Sequence, residues 1–143
     1  LGQKRGCWII DDYAHNPAKV AAAIKGVQPM CQRVIAWFQP HGYGPTRFLR
    51  NDFVEEISQA LRPNDQIWMS EIFYAGGTAV KDISANDLIL DLQKRGVQAF
   101  FCEHRNDMQE RMKETLQEGD VLLLMGARDP SLEAFSKWLY DHL

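Results

Sequence analysis

The stretch CWIIDDYAHNP, Cys7 to Pro17, decides the fold. Cys7, Trp8, Ile9 and Ile10 run without polar alternation into two carboxylates, and Asn16-Pro17 then opens a new segment. An unbroken apolar run of this length reads as a strand covered on both faces, the kind that parallel sheets use. Asn before Pro reads as a helix start. The amide oxygen of Asn can cap free N–H groups, and Pro at the first helical position lacks only an N–H that would have no partner. A strand over Cys7 to Tyr13 and a helix over Pro17 to Val27 are therefore predicted, which is one βα unit.

Working outward, the same alternation recurs. Strands are expected over Val34 to Phe38, Gln66 to Ser70, Val97 to Cys102 and Val121 to Met125. Helices are expected from about Thr46 to Leu61, Ser84 to Arg95, Asp107 to Gln117 and Pro130 to His142. Asp129-Pro130 repeats the cap-and-proline signal, Ser84 with Asp87 approaches a capping box, and Gly96 and Gly119 follow helices as stops. Short apolar strands separated by helices pair in parallel through right-handed crossovers. The expected fold is α/β: a single Rossmann-like three-layer domain, with a mostly parallel sheet of about five or six strands and helices on both faces. Phe73 to Ile83 is the longest stretch without a pattern.

The bulk properties suit one such domain. With 143 residues, 45% hydrophobic and 24% charged, the chain can build an ordinary core. A net charge of -3 and a pI near 5.8 supply no basic field, so neither nucleic acid nor an anionic membrane is an expected partner. The three cysteines, Cys7, Cys31 and Cys102, form no CxxC pair and sit in or beside apolar segments. They are expected as buried thiols in a reducing, cytoplasmic compartment. No membrane span or signal peptide is legible, and the start at Leu1-Gly2 without Met suggests a boundary within a longer protein.

Ligands of open parallel sheets bind beyond the carboxyl ends of the strands. That rule selects Asp11 to Asn16, Gln39 to Arg47, Glu71 and Gly126 to Asp129. Successive strand side chains face opposite ways, so at least one of Asp11 and Asp12 must meet solvent or a ligand. Carboxylates there could accept ribose hydroxyls or help hold a hydrated cation; they could equally be solvated turn residues. His15 and Asn16 stand at the mouth of a helix whose free N–H groups favour an anion, and Asn16 caps that helix in either case. His41 is read as a site residue. Arg47, in a first helical turn, opposes the helix dipole and so calls for an anionic partner. Arg128 and Asp129 could pair locally.

At these residues a resemblance becomes specific. Asp-Asp-Tyr-Ala-His-Asn-Pro (11 to 17) is similar to the signature opening the last domain of Mur ligases, and folylpolyglutamate synthases carry a related Ala-His-Asn-Pro. Phe38-Gln39-Pro40-His41, with Tyr43, Thr46 and Arg47, resembles a second segment of the branch that joins L-alanine to UDP-N-acetylmuramate. Tyr74-Ala75-Gly76, Ile83-Ser84, Lys94-Arg95-Gly96 and Gly119-Asp120-Val121 through Met125-Gly126-Ala127 follow in the family's order. The resemblance implies the carboxy-terminal domain of a cytoplasmic, ATP-dependent ligase of peptidoglycan precursor synthesis. Such an enzyme phosphorylates a carboxylate with ATP and Mg2+, and an amine then displaces the phosphate. It implies nucleotide contacts for Asp12, Tyr13 and Asn16, catalytic-site roles for His15, His41 and Arg47, and no metal ligand in this chain. The phosphate loop and most of the magnesium site would lie in a central domain, and no G-x-x-x-x-G-K-[ST] occurs here.

Gly42 and Pro45 stand where the family usually has arginines, and Gly77 and Thr78 where a glutamate is usual. A divergent ligase acting on another carboxylate, folylpolyglutamate-like in kind, is therefore an alternative. A receiver-type signalling module is another, but it needs an acceptor Asp after strand three and a Lys after strand five, where this chain has Glu71 and Arg128. Trp8, Trp37, Trp68 and Trp138 are expected in the core. His104 and His142 are assigned no function, and Glu103-His104-Arg105 reads as a solvated loop.

Overall fold

The computed structural model describes residues 1–74, 80–126 and 130–143. The expected cap at Asp129, the Arg128–Asp129 pair, and the resemblance at Ala75-Gly76 and Ala127 with its departures at Gly77 and Thr78 lie outside them. The strands are β1 (Gly2–Lys4), β2 (Cys7–Asp12), β3 (Arg33–Gln39), β4 (Gln66–Met69), β5 (Gln98–Phe101) and β6 (Asp120–Gly126). The α-helices are α1 (Pro17–Val27), α2 (Tyr43–Ala60), α3 (Ala85–Lys94), α4 (Met108–Thr115) and α5 (Pro130–His142). They form the expected single α/β sheet, in the order β1-β2-β6-β3-β4-β5, with only β1 antiparallel.

Strand alternation splits the core into two layers. Val34, Ala36, Phe38, Val121, Leu123 and Met125 pack with Val20 and Ile24 of α1, Phe53 and Ile57 of α2, and Leu88 and Leu92 of α3. The intervening Ile35, Trp37, Leu122 and Leu124 pack with Met108 and Met112 of α4 and Leu132, Phe135 and Leu139 of α5. Burying each large apolar side chain contributes roughly 1.5–3 kcal/mol, so both faces of the central strands are committed to the core. The indole N–H of Trp37 is not orphaned there: it donates to Ser70 Oγ at 2.9 Å.

Local signals explain most boundaries. Asn16 Oδ1 accepts from the backbone N–H of Lys19 at 2.9 Å, and Ser84 with Asp87 closes a complete capping box on α3. Three expectations need correction. The segment before Cys7 is a strand: Gly2–Lys4 pairs back through a two-residue turn in which Arg5 and Gly6 both have positive φ (56° and 77°). Helix α2 begins at Tyr43, not Thr46. Gly42, at φ 82°, turns the chain into it, and Pro45 falls in the first turn, where a missing N–H costs no helical bond. Trp8 is exposed rather than core, since α1 packs on β3 and β6, and Trp138 is only half-buried. Cys7 and Cys102 are buried as expected, while Cys31 is half-buried.

Candidate functional site

Crevices form in a parallel sheet where neighbouring strands send their following segments to opposite faces. Strand β2 continues into α1 on one face, whereas β6, beside it, precedes α5 on the other. Strand β4 leads to α3 on the first face and β5 to α4 on the second, so a further crevice opens there. Both open at the carboxyl edge.

Pairing places the expected residues on that edge. Met125 of β6 is matched with Asp12 on one side and Phe38 on the other. Asp12 and Phe38 are thus two strand spacings apart, about 10 Å. Tyr13, His15 and Asn16 continue from Asp12, and His41 stands three residues beyond Phe38. Asp12, Tyr13, His15 and His41 are exposed, and Asn16 is half-buried.

At the first crevice, Asp12 Oδ1 accepts from the N–H of Ala14 at 2.8 Å, a turn that points the carboxylate outward. Its Oδ2 meets no donor among the described residues. His15 Nδ1 lies 2.9 Å from the carbonyl oxygen of Tyr13. That carbonyl can only accept, so Nδ1 carries a proton, and Nε2 is the ring nitrogen left to meet a ligand. The Asn16 oxygen is used by the helix cap, which leaves its NH2 to act on a ligand. Tyr13 turns toward α5 and donates to Glu133 Oε1 at 2.9 Å. A shallow groove lined by Asp12, His15 and Lys19, with Ala22, Ala23 and Gly26 along α1, adjoins this cluster.

On the other side of β6, the His41 ring lies 5.2 Å from that of Phe73, across an isolated parallel bridge between the two residues. Arg47 does have an anionic partner, from within the chain: its Nε donates to Asp82 Oδ1 at 2.8 Å and its Nη2 to the carbonyl of Val80 at 2.9 Å. Glu71 is structural. Its Oε1 accepts from the N–H groups of Ile72 and Ala85, each at 2.9 Å, and its Oε2 from Ser84 Oγ at 2.7 Å. It ties β4 to the start of α3.

The reading of Glu103-His104-Arg105 as a solvated loop is corrected for Arg105. Its guanidinium lies 5.7 Å from the ring centre of Phe73 and 5.4 Å from that of Phe135, and Nη1 donates to Gln39 Oε1 at 3.1 Å. Gln39 Nε2 is in turn fixed by the carbonyl of Glu71 at 2.8 Å. Lys81 Nζ sits 4.9 Å from the ring centre of Tyr74 and 6.0 Å from that of Tyr43. Lys81, His104 and Arg105 line one groove with Gln39, Phe73 and Tyr74, so His104 stands on the rim as well. The strand-end rule applied to β4 and β5 could have found both cations, but neither lies in a motif that stands out.

The described residues contain no group of three His, Cys, Asp or Glu side chains able to hold a metal ion.

The family model described as "Mur ligase, glutamate ligase domain" matches residues 1–128. The chain belongs to that Mur ligase family. Two UDP-N-acetylmuramate–L-alanine ligases are 34% identical to it: that of Nitrosomonas eutropha over 130 residues, covering 89% of this chain and 27% of the relative, and that of Caldanaerobacter subterraneus over 127 residues, 88% and 27%. The Mur ligase chain thus spans about a quarter of the length of these relatives. Solved structures share its fold. The UDP-N-acetylmuramate-alanine ligase of Thermotoga maritima superposes with a TM-score of 0.68 at 22% identity, covering 96% of this chain and 26% of that one. A domain from a putative UDP-N-acetylmuramate:L-alanyl-gamma-D-glutamyl-meso-diaminopimelate ligase of Haemophilus ducreyi gives 0.63 at 16%, covering 97% and 94%.

Proposed function

We propose that this Mur ligase domain is the carboxy-terminal part of a cytoplasmic, ATP-dependent enzyme of peptidoglycan precursor synthesis. In this reading the complete enzyme joins an amino acid, L-alanine in the first instance, to the carboxylate of UDP-N-acetylmuramate. ATP phosphorylates that carboxylate, and the amine attacks the acyl phosphate, forming the amide bond and releasing phosphate. The remaining domains supply the phosphate loop and the seat for the UDP-linked substrate. The observation that carries the reading is the Asp12–His15 turn, held outward at a topological crevice by a chain whose curated relatives bear this activity in their names.

Asp12 Oδ2 is suited to accept a ribose hydroxyl, with the Asn16 NH2 nearby, and the Tyr13 hydroxyl would join them by exchanging its bond to Glu133. His15 presents its Nε2 and His41 a ring steadied by Phe73, and either imidazole could meet a proton or a developing charge. Arg47 reaches a substrate anion by exchanging its bond to Asp82. The two side chains are 44% and 54% exposed, and such pairs are worth below about 1 kcal/mol, so the exchange costs little. With Gly42 and Pro45 as departures from the family pattern, the acceptor itself is set by experiment. The test is ADP release by the full-length protein with UDP-N-acetylmuramate and a panel of amino acids and peptides. Release that depends on both substrates is expected, with L-alanine preferred, and the isolated domain is expected to be inactive. ADP release with no dependence on the muramyl substrate would overturn the reading.

A further inference from the structure

The surface between α1 and α2 combines two features that the nucleotide crevice does not use. Phe48, in the second turn of α2, is 86% exposed, more than any other large apolar side chain described. Helical spacing puts Pro45 and Asp52 on the same side of α2 as Phe48, and Pro45 is exposed as well. Val80, 66% exposed, is close by, since its carbonyl accepts from Arg47 in the same turn. Next to Phe48, Leu49 meets Pro17 and Ala18 of α1 along a groove whose charged lining is Asp52, Glu55 and Glu56, with no cation among the described residues. Glu55 is paired with Arg95, while Asp52 and Glu56 form no ion pair among the described residues. Asn16 lines the same groove, so it opens on the rim that carries Asp12 and His15.

Charge narrows the occupant. Three carboxylates repel phosphate, so neither ATP nor a UDP-linked substrate is drawn to this groove. In a two-fold contact centred on Phe48 they would face their own copies, which disfavours a second copy of this chain. What fits is a protein surface with an apolar side chain for Phe48 and lysine or arginine for the acids. The chain spans about a quarter of its relatives' length, and the part that supplies the phosphate loop has to approach the edge where the nucleotide crevice lies. We propose that the α1–α2 surface around Phe48 docks the remaining part of the same ligase, through an apolar side chain flanked by basic residues. This rests on the reading above, which places further domains in the same polypeptide. The contact lies beside the Asp12 and His41 crevices, so it sets how the domains meet and touches no substrate.

The experiment uses the full-length protein with a photo-reactive benzophenone amino acid in place of Phe48. The ring of Phe48 lies in solvent, so the exchange disturbs no core packing. On irradiation the probe should cross-link within its own molecule, to a segment outside these 143 residues that carries Lys or Arg within a few positions. Asp52→Lys with Glu56→Lys should lower the yield at least about fivefold. Raising the salt to about 1 M, where the Debye length is about 3 Å, should also lower it, and tests the same charge complementarity should the double variant fold poorly. A link to a second molecule, a link confined to this domain, no link, or a yield indifferent to both charge reversal and salt overturns the proposal. ADP release with UDP-N-acetylmuramate, measured on the same preparation, tests the ligase reading separately. Its absence with the cross-link intact removes that reading and leaves the docking surface.

Discussion

The two edges of the sheet treat charge in opposite ways. At the amino edge, Asp65 has a fully buried side chain and accepts from Val34 N–H at 2.8 Å, Arg62 N–H at 2.9 Å, the Arg62 guanidinium and Gln28. Asp120, 4% exposed, accepts from Arg33 Nε and Nη2 at 3.1 and 2.6 Å and from Gln117 N–H at 2.8 Å. Each carboxylate there ties the start of a strand to a neighbouring loop or strand. At the carboxyl edge, Asp12 uses one oxygen, Lys81 lies on the ring of Tyr74, and the Arg47–Asp82 pair is open to solvent. Charges fully matched within the chain stabilise it. Charges left partly unmatched at a crevice are available to something else.

The largest effect expected from this contrast is at Asp65. Replacing Asp65 with Ala strands the Val34 N–H and the Arg62 charge, and should cost about 3–5 kcal/mol in urea unfolding. A loss below about 1 kcal/mol would break the comparison. The same group gives a pH dependence. Burial by itself would raise the Asp65 pKa, but the bonds from Arg62, Val34 N–H, Arg62 N–H and Gln28 outweigh it and hold the carboxyl below the usual range. A folded-state pKa below the unfolded one means stability that is present above about pH 3.9 and lost as the pH falls through the folded value. Asp65→Asn should therefore flatten the acid limb of the stability profile below about pH 4.

Asp12 should behave in reverse. In the full-length enzyme, Asp12→Ala should raise KM for ATP by about tenfold or more, the loss of a bond to a charged acceptor. Its cost to folding should stay near about 1 kcal/mol, the worth of the single turn bond to Ala14. An unchanged ATP dependence would refute the nucleotide role. The smallest effect is at Arg47. Arg47→Ala should change stability by less than about 1 kcal/mol because its pair with Asp82 is exposed, yet it should lower turnover. Urea unfolding beside steady-state rates separates the two readouts. Unfolding that tracks the lost activity would class Arg47 with the amino-edge residues.

Much of the fold was legible because its signals are local. Unbroken apolar runs, Asn16-Pro17, and Gly96 and Gly119 at positive φ mark elements without reference to the rest of the chain. The position of Asp12, Asn16, His15 and His41 beyond strand ends was legible for a related reason: strand ends can be found in sequence. The hairpin at Arg5-Gly6 was missed because three-residue strands have too few positions to show a period. The early start of α2 was hidden by Gly44 and Pro45, poor helix formers in general that are tolerated in a first turn. Arg105 and Lys81 carry no local mark at all. Their placement depends on Phe73 and Phe135 for Arg105 and on Tyr43 for Lys81, residues distant in the chain.

By itself the sequence determined the α/β class, five of the six strands and the acid–imidazole segment at a strand end, since periodicity and capping act within a few residues. Tertiary structure alone decided that β6 lies between β2 and β3, and so which strand ends border a crevice. It also decided that Glu71 and Asp65 are consumed internally while Asp12 is not. Strand order and the filling of lone pairs depend on partners tens of residues away, and nothing in the local pattern encodes that distance.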